Sequence, residues 1–380
     1  MQASEVNLRL RRLSGALLSA GIDAALVTVP VNLFYLTGTV FSGYLYVDTD
    51  GRAYAFTRGK HTIDGVECIA ARKPELIPEL LRDAGVSMPE TLMLEDDYLP
   101  ANIYSRLCKV FQGAAVKGDL LRTVRSVKTP YEHEQLKRSA AAHARAYACI
   151  PALLRPGLTD VDLTIEIERA MRLEGCLGIM RLFGVGMEIH MGSVLTGDNA
   201  HVRSPYDFAM GGAGLHPSLP ISACGVPLRE GTTVMVDMGG NFTGYLSDMT
   251  RTYAIGALPR QAYDLHSLSI SIQQELSQSK AGDTCEMLYE KGVQMVKDAG
   301  AWDYYMESIQ GSRFIGHGIG LEVNELPVLC ARNQTVLTEG MVVALEPKFV
   351  LPGVGPLGTE NTYIVRSNGL ELITKAPETL

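Results

Sequence analysis

The chain has 380 residues, 46% hydrophobic and 20% charged, which is enough apolar surface for a large core and excludes disorder as the dominant state. At about 100–200 residues per domain, the length points to two domains. Lys and Arg total 34 against 42 Asp and Glu, so the net charge is −8; a chain of this sign is a poor ligand for a phosphate backbone, and nucleic acid is not an expected partner.

The N-terminus runs into Arg9, Arg11 and Arg12 with no apolar stretch of the signal-peptide kind. Residues 5–19 place Leu8, Leu10, Leu13, Leu17 and Leu18 at helical spacing. Residues 24–47 carry no charge and are long enough to span a bilayer, but Pro30, Asn32, Gly38, Ser42 and Gly43 divide them. They read as buried strands at 24–29, 33–36 and 44–48, so no membrane is expected. A strand at 53–57, a helix at 75–84 and a strand at 91–94 complete an α/β domain over residues 1–125. Thr129, followed by Pro130 and then Glu132, is a helix start that opens a second domain over residues 126–380.

That second part contains an echo. Pro156-Gly157-Leu158-Thr159 opens an amphipathic run ending at Gly175, and Ala281-Gly282-Asp283-Thr284 opens another ending at Gly300. Each has Thr at the N-cap position and Gly at the stop. Each follows another helical stretch, at 131–154 and 261–280, and precedes Gly-rich strand-like sequence. The pattern is that of a duplicated α+β half, with chance similarity of two capped helices as the alternative. The seven Cys (68, 108, 149, 176, 224, 285 and 330) are odd in number, scattered and without a CxxC, as expected of reduced thiols in the cytoplasm.

Three segments carry candidate chemistry. A β-branched run ends on Asp237, and after Gly239-Gly240 a second strand starts near Asp248. Asp248 has Arg251 close in sequence; Asp237 has no local cation. Glycines flank His317 on both sides. Glu346 ends the apolar run 341–345, and Glu360 begins another. A carboxylate at the end of a buried strand is costly unless paired. Four such carboxylates would repel if they converged, and two divalent cations would cancel their charge. An oxygen-rich set with one imidazole suits Mn²⁺, Co²⁺, Fe²⁺ or Zn²⁺. Two ions ~4 Å apart can share a hydroxide, a nucleophile near neutral pH.

These strings resemble the creatinase/aminopeptidase P/prolidase/methionine aminopeptidase family. They are Val236-Asp237, Gly244-Tyr245 through Ser247-Asp248 to Thr250-Arg251-Thr252, Gly316-His317-Gly318-Ile319-Gly320, Leu345-Glu346-Pro347 and Glu360-Asn361-Thr362. Asn32-Leu33-Phe34-Tyr35-Leu36-Thr37-Gly38 resembles the start of a creatinase-type N-terminal domain. The resemblance implies an α/β fold in which that N-terminal domain precedes a pita-bread, duplicated α+β catalytic domain. It implies Asp237 on one metal, Asp248 and Glu360 bridging two, and His317 and Glu346 on the other. It also implies two divalent ions per chain, manganese first among them, and a homodimer.

The chain departs from the family pattern at three places: Asn324 stands where a second His is usual, Tyr206 where another His is usual, and Gly358 where Arg is common. Asn does not titrate, so it cannot shuttle a proton. His216, in the Gly-rich segment 210–220, is the expected proton-handling group, with His190 and His201 behind it, and Arg251 and Asn324 complete the catalytic candidates. The expected function is an Xaa-Pro aminopeptidase or dipeptidase acting on small peptides. The alternatives are a lyase or C–N hydrolase of the same fold acting on a small polar substrate, and a non-catalytic family member.

Overall fold

The computed structural model describes residues 1–59, 61–112, 114–116, 118–155, 157–184 and 187–380. They form two compact units, Met1–Arg125 and Ser126–Leu380. Among the described residues no helix is long and apolar enough to cross a membrane.

In the first unit, α1 (Ala3–Ala20) buries Val6, Leu10, Leu13 and Leu17, while Leu18 is exposed. Gly21 ends α1 at φ 68°, a left-handed stop. Then come β1 (Ala24–Val27), α2 (Pro30–Thr37), β2 (Gly43–Asp48), β3 (Ala53–Thr57), β4 (Glu67–Ala70), α3 (Ile77–Asp83), β5 (Leu92–Leu94), α4 (Ala101–Val110), β6 (Ala114–Val116) and α5 (Asp119–Ser126). The strands form one mixed sheet in the order β4-β3-β2-β1-β5-β6. The strand expected at 33–36 is instead α2. Pro30 stands in its first turn, and the N–H of Gly38, at φ 75°, donates to the Phe34 carbonyl at 2.8 Å. Apolar residues all round a short buried helix leave no periodicity to read.

The second unit opens with α6 (Pro130–Tyr147), whose N-cap Thr129 forms a capping box: its hydroxyl accepts from Glu132 N at 3.2 Å, and the Glu132 carboxylate accepts from Thr129 N at 2.9 Å. There follow α7 (Ile150–Leu153), α8 (Asp160–Leu173), β7 (Gly192–Thr196), β8 (Thr232–Asn241), β9 (Leu246–Ile255), α9 (Arg260–Leu276), α10 (Cys285–Asp298), α11 (Met306–Gln310), β10 (Phe314–Gly318), β11 (Glu325–Cys330), β12 (Val342–Leu345), β13 (Lys348–Leu351), β14 (Gly355–Gly358), β15 (Asn361–Arg366) and β16 (Gly369–Leu372). Thr159 caps α8 and Thr284 caps α10. Gly175 and Gly300 take φ 96° and 64° at their ends. Beyond each stop a backbone N–H turns back into its helix, Cys176 to Met171 and Ala301 to Val296, both at 3.0 Å. Pro156, the first residue of the expected α8 signal, lies outside the described residues.

Strands order as β7-β8-β9 in one sheet, β11-β10-β12-β15-β16 in a second, and β13-β14 as a pair. Thr250 of β9 and Glu360, just before β15, exchange backbone hydrogen bonds at 3.3 and 3.2 Å, which ties the first two sheets together. The Gly316-His317-Gly318 pattern has a steric reason. A Cβ at Gly316 would collide with the Ala344 carbonyl oxygen, and one at Gly318 with the Leu326 carbonyl.

Candidate metal centre

Five residues singled out in the sequence converge in the second unit. Asp237 lies in β8, Asp248 in β9 and His317 in β10; Glu346 follows β12 and Glu360 precedes β15. Asp248, His317 and Glu360 each offer a ligand atom within 4.8 Å of the others, and Asp237, Glu346 and Glu360 do the same. His317 Nε2 lies 3.2 Å from Glu346 Oε1 and 3.8 Å from both Asp248 Oδ2 and Glu360 Oε1. His317 Nδ1 is 3.1 Å from the Gly318 carbonyl, so a proton on Nδ1 donates there and Nε2 is the atom turned to the cluster.

A sixth residue, Lys348, was not singled out in the sequence. Its Nζ donates to Asp237 Oδ2 at 2.7 Å, Glu346 Oε2 at 2.7 Å and Glu360 Oε2 at 2.9 Å. This is the cation Asp237 lacked locally. The available signal was its place two residues after Glu346, heading the apolar run Phe349-Val350-Leu351. Side chains two apart in extended chain share a face.

Burial and mutual charge set the protonation of the group. Burial, then the charge of Asp237, pushes Asp248 up to about 7. Burial and the Asp248 and Glu346 charges hold Glu360 well above the carboxylate range. Burial alone would raise Glu346, but Lys348 and His317 bring it down to about 2. Burial alone would lower His317, but the hydrogen bond and charge of Glu346, with Asp248 and Glu360, carry it up to about 10. Without a metal, the site therefore balances its carboxylates with two cationic side chains and retained protons.

Residues 134–367 match metallopeptidase family M24, and residues 9–127 match the creatinase/prolidase N-terminal domain. The chain belongs to metallopeptidase family M24. It is similar to the Xaa-Pro dipeptidase of Pyrococcus furiosus, 24% identical over 382 residues, with 98% of this chain and 99% of that one covered. It is 30% identical over 264 residues to the probable dipeptidase PepE of Mycobacterium bovis, covering 69% of this chain and 62% of that one. Among solved structures, the Xaa-Pro dipeptidase from Bacillus anthracis superimposes with a TM-score of 0.81 at 26% identity, covering 100% of this chain and 99% of that one. The fold is the family's: a creatinase-type N-terminal domain followed by a pita-bread catalytic domain.

Family M24 implies divalent metal. The His317 side of the cluster fits it: Glu360 Oε1 is buried with no hydrogen-bond partner among the described residues, facing Nε2. The Asp237 side already holds the Lys348 ammonium.

Arg251 is 2% exposed and donates to the carbonyls of Thr250, Glu360 and Ala376 and to Asn361 Oδ1. Its guanidinium braces the backbone behind Glu360. Asn324 pins Phe183, accepting from its N–H and donating to its carbonyl, both at 2.7 Å. His216 is exposed in a turn, with Nδ1 2.9 Å from Ser218 Oγ. His190 is exposed as well, and His201 lies 3.7 Å from Asp198. Tyr206 is half-buried, and Gly358 sits in β14 directly across from Lys348.

Proposed function

We propose that the chain is a metal-dependent peptidase that hydrolyses small peptides with proline after the scissile bond, as an Xaa-Pro dipeptidase or aminopeptidase. The observation that carries this reading is the convergence of Asp237, Asp248, His317, Glu346 and Glu360, from strands and strand ends, on one site where a buried carboxylate oxygen of Glu360 has no hydrogen-bond partner among the described residues. These residues are the proposed metal donors. Their oxygen-rich chemistry favours manganese, with cobalt, iron or zinc as substitutes. A bound divalent ion supplies Lewis-acid polarisation of a carbonyl and lowers the pKa of water. Thr250 donates to Glu360 Oε2 at 2.8 Å, and Arg251 holds the Glu360 backbone, so the chain fixes this donor from two sides. The names of the relatives support peptides as the substrate over other small polar molecules. Seven free thiols support a reducing, cytoplasmic setting. A homodimer, with residues 1–125 as a creatinase-type domain and 126–380 as the catalytic one, completes the proposal.

The test is release of proline from Xaa-Pro dipeptides by Mn²⁺-loaded protein, against matched dipeptides without proline. Hydrolysis of the Xaa-Pro set that disappears on chelation is expected. Fully metal-loaded protein that cleaves no dipeptide would overturn the reading. Losing an outer-sphere partner costs roughly 10–100-fold in metal affinity. Asp248→Ala, which removes a proposed ligand itself, should therefore weaken Mn²⁺ binding by more than about 100-fold.

A further inference from the structure

We propose that Lys348 is a resident cation that fills one half of the metal centre, so that this chain takes a single divalent ion, in the corner formed by Asp248, His317 and Glu360. The inference rests on reading the cluster as a metal site and deepens it.

The geometry divides the cluster in two. Glu346 turns Oε2 to Lys348 and Oε1 to His317. Glu360 does the same: Oε2 accepts from Lys348, and Oε1 faces His317 without a hydrogen-bond partner among the described residues. Asp237 closes the lysine half and Asp248 the histidine half. An ammonium has three N–H donors, and here each meets one carboxylate. The trio it joins is one of the two sets able to hold an ion.

Lys348 cannot readily leave. It is 0% exposed, at the head of β13, and the following Phe349 and Val350 are also 0% exposed. Its cross-strand neighbour is Gly358, which carries no side chain. Swinging the ammonium out would bury an unpaired charge among apolar groups. Charge points the same way. Two divalent ions and the ammonium would place +5 against four carboxylates, whereas one ion and the ammonium place +3. A tethered ammonium therefore does for Asp237, Glu346 and Glu360 what a second ion would do.

The test is metal stoichiometry, read without reference to activity. Metal-stripped protein is dialysed to equilibrium against Mn²⁺, and bound metal per chain is counted for the wild type and for Lys348→Ala. The expected values are about one ion in the wild type and about two in the variant, whose trio is freed. Two ions in the wild type would overturn this inference and leave the metal-site reading intact. No ion in the wild type would overturn both. One ion in each, with the variant folded by circular dichroism, would also overturn it, because the lysine would not then be what limits the count. Should Lys348→Ala not fold, wild-type crystals soaked in Mn²⁺ decide the matter. One anomalous peak beside His317 supports the inference, and a peak beside Asp237 overturns it.

Discussion

His143 is a residue whose protonation couples to folding. It is 0% exposed in α6, with Nδ1 3.0 Å from Ser247 Oγ and no hydrogen-bond partner for Nε2 among the described residues. Burial, and then the charge of Arg251, pushes it down to about 3. A free imidazole titrates near 6.5. Between those values the unfolded chain binds more protons than the folded one, so this contribution to stability is complete above about pH 6.5 and is lost as pH falls toward about 3. From about pH 7.5 to about pH 5 the loss from this group should be about 2 kcal/mol, at about 1.4 kcal/mol per unit of pKa difference. Urea unfolding should show it, and His143→Gln should show a shallower fall. Equal pH dependence in both proteins would mean the proton is taken up elsewhere. Asn324 makes a different prediction. Its two hydrogen bonds to Phe183 serve the backbone, at about 1 kcal/mol each. Asn324→Ala should lose about 1–2 kcal/mol of stability and speed amide exchange at Phe183. Bound Mn²⁺ should be unchanged in that variant; a fall in metal content would place Asn324 in the centre itself.

Helix termini are where local sequence and structure agree best, because a cap is decided by residues three or four apart. Thr129, Thr159 and Thr284 each accept from the N–H three residues on. Replacing any of them by Ala should cost about 1 kcal/mol. The first two, in reciprocal boxes, should cost more than Thr284, which makes the single bond; chemical denaturation of the three variants checks the order. Elements whose identity depends on distant partners were harder to read. Residues 33–36 are apolar in a way that suits a strand or a buried helix, and Pro30 and Gly38 decided for α2. The same contrast runs through the metal centre. Asp237, Glu346 and Glu360 stand out because each interrupts an apolar run, and a buried carboxylate demands a partner. Lys348 interrupts one as well. A lysine at the head of a strand is ordinarily solvated, however, and its burial is set by a contact 111 residues away, with Asp237. Local sequence does not carry that contact. Arg251 lies near Asp248 in sequence, and in the fold its guanidinium donates to the carbonyls around Glu360.

At the scale of the molecule, the division of labour between the two units is open to direct measurement. Asp237, Asp248, His317, Glu346, Lys348 and Glu360 all lie within Ser126–Leu380. So do the groups that hold them: Thr250 on Glu360, Arg251 behind it, and the ion pair of Lys128 with Glu325 at 3.0 Å, whose carboxylate also accepts from Leu321 N and Glu322 N after His317. The second unit also contains two apolar clusters of its own, one built around α9, α10 and the strands from β10 to β15, the other around α6, α8, β7 and β8. A unit with its own core and every donor should keep the site when isolated. A fragment of residues 126–380 is therefore expected to bind Mn²⁺ with the stoichiometry of the full chain and an affinity within about threefold, a difference of less than 1 kcal/mol. Equilibrium dialysis of fragment and full chain side by side makes the comparison. A fragment that is folded by circular dichroism yet binds no Mn²⁺ would show that residues 1–125 supply a donor or hold one in place, and the centre could not then be built from these six side chains alone.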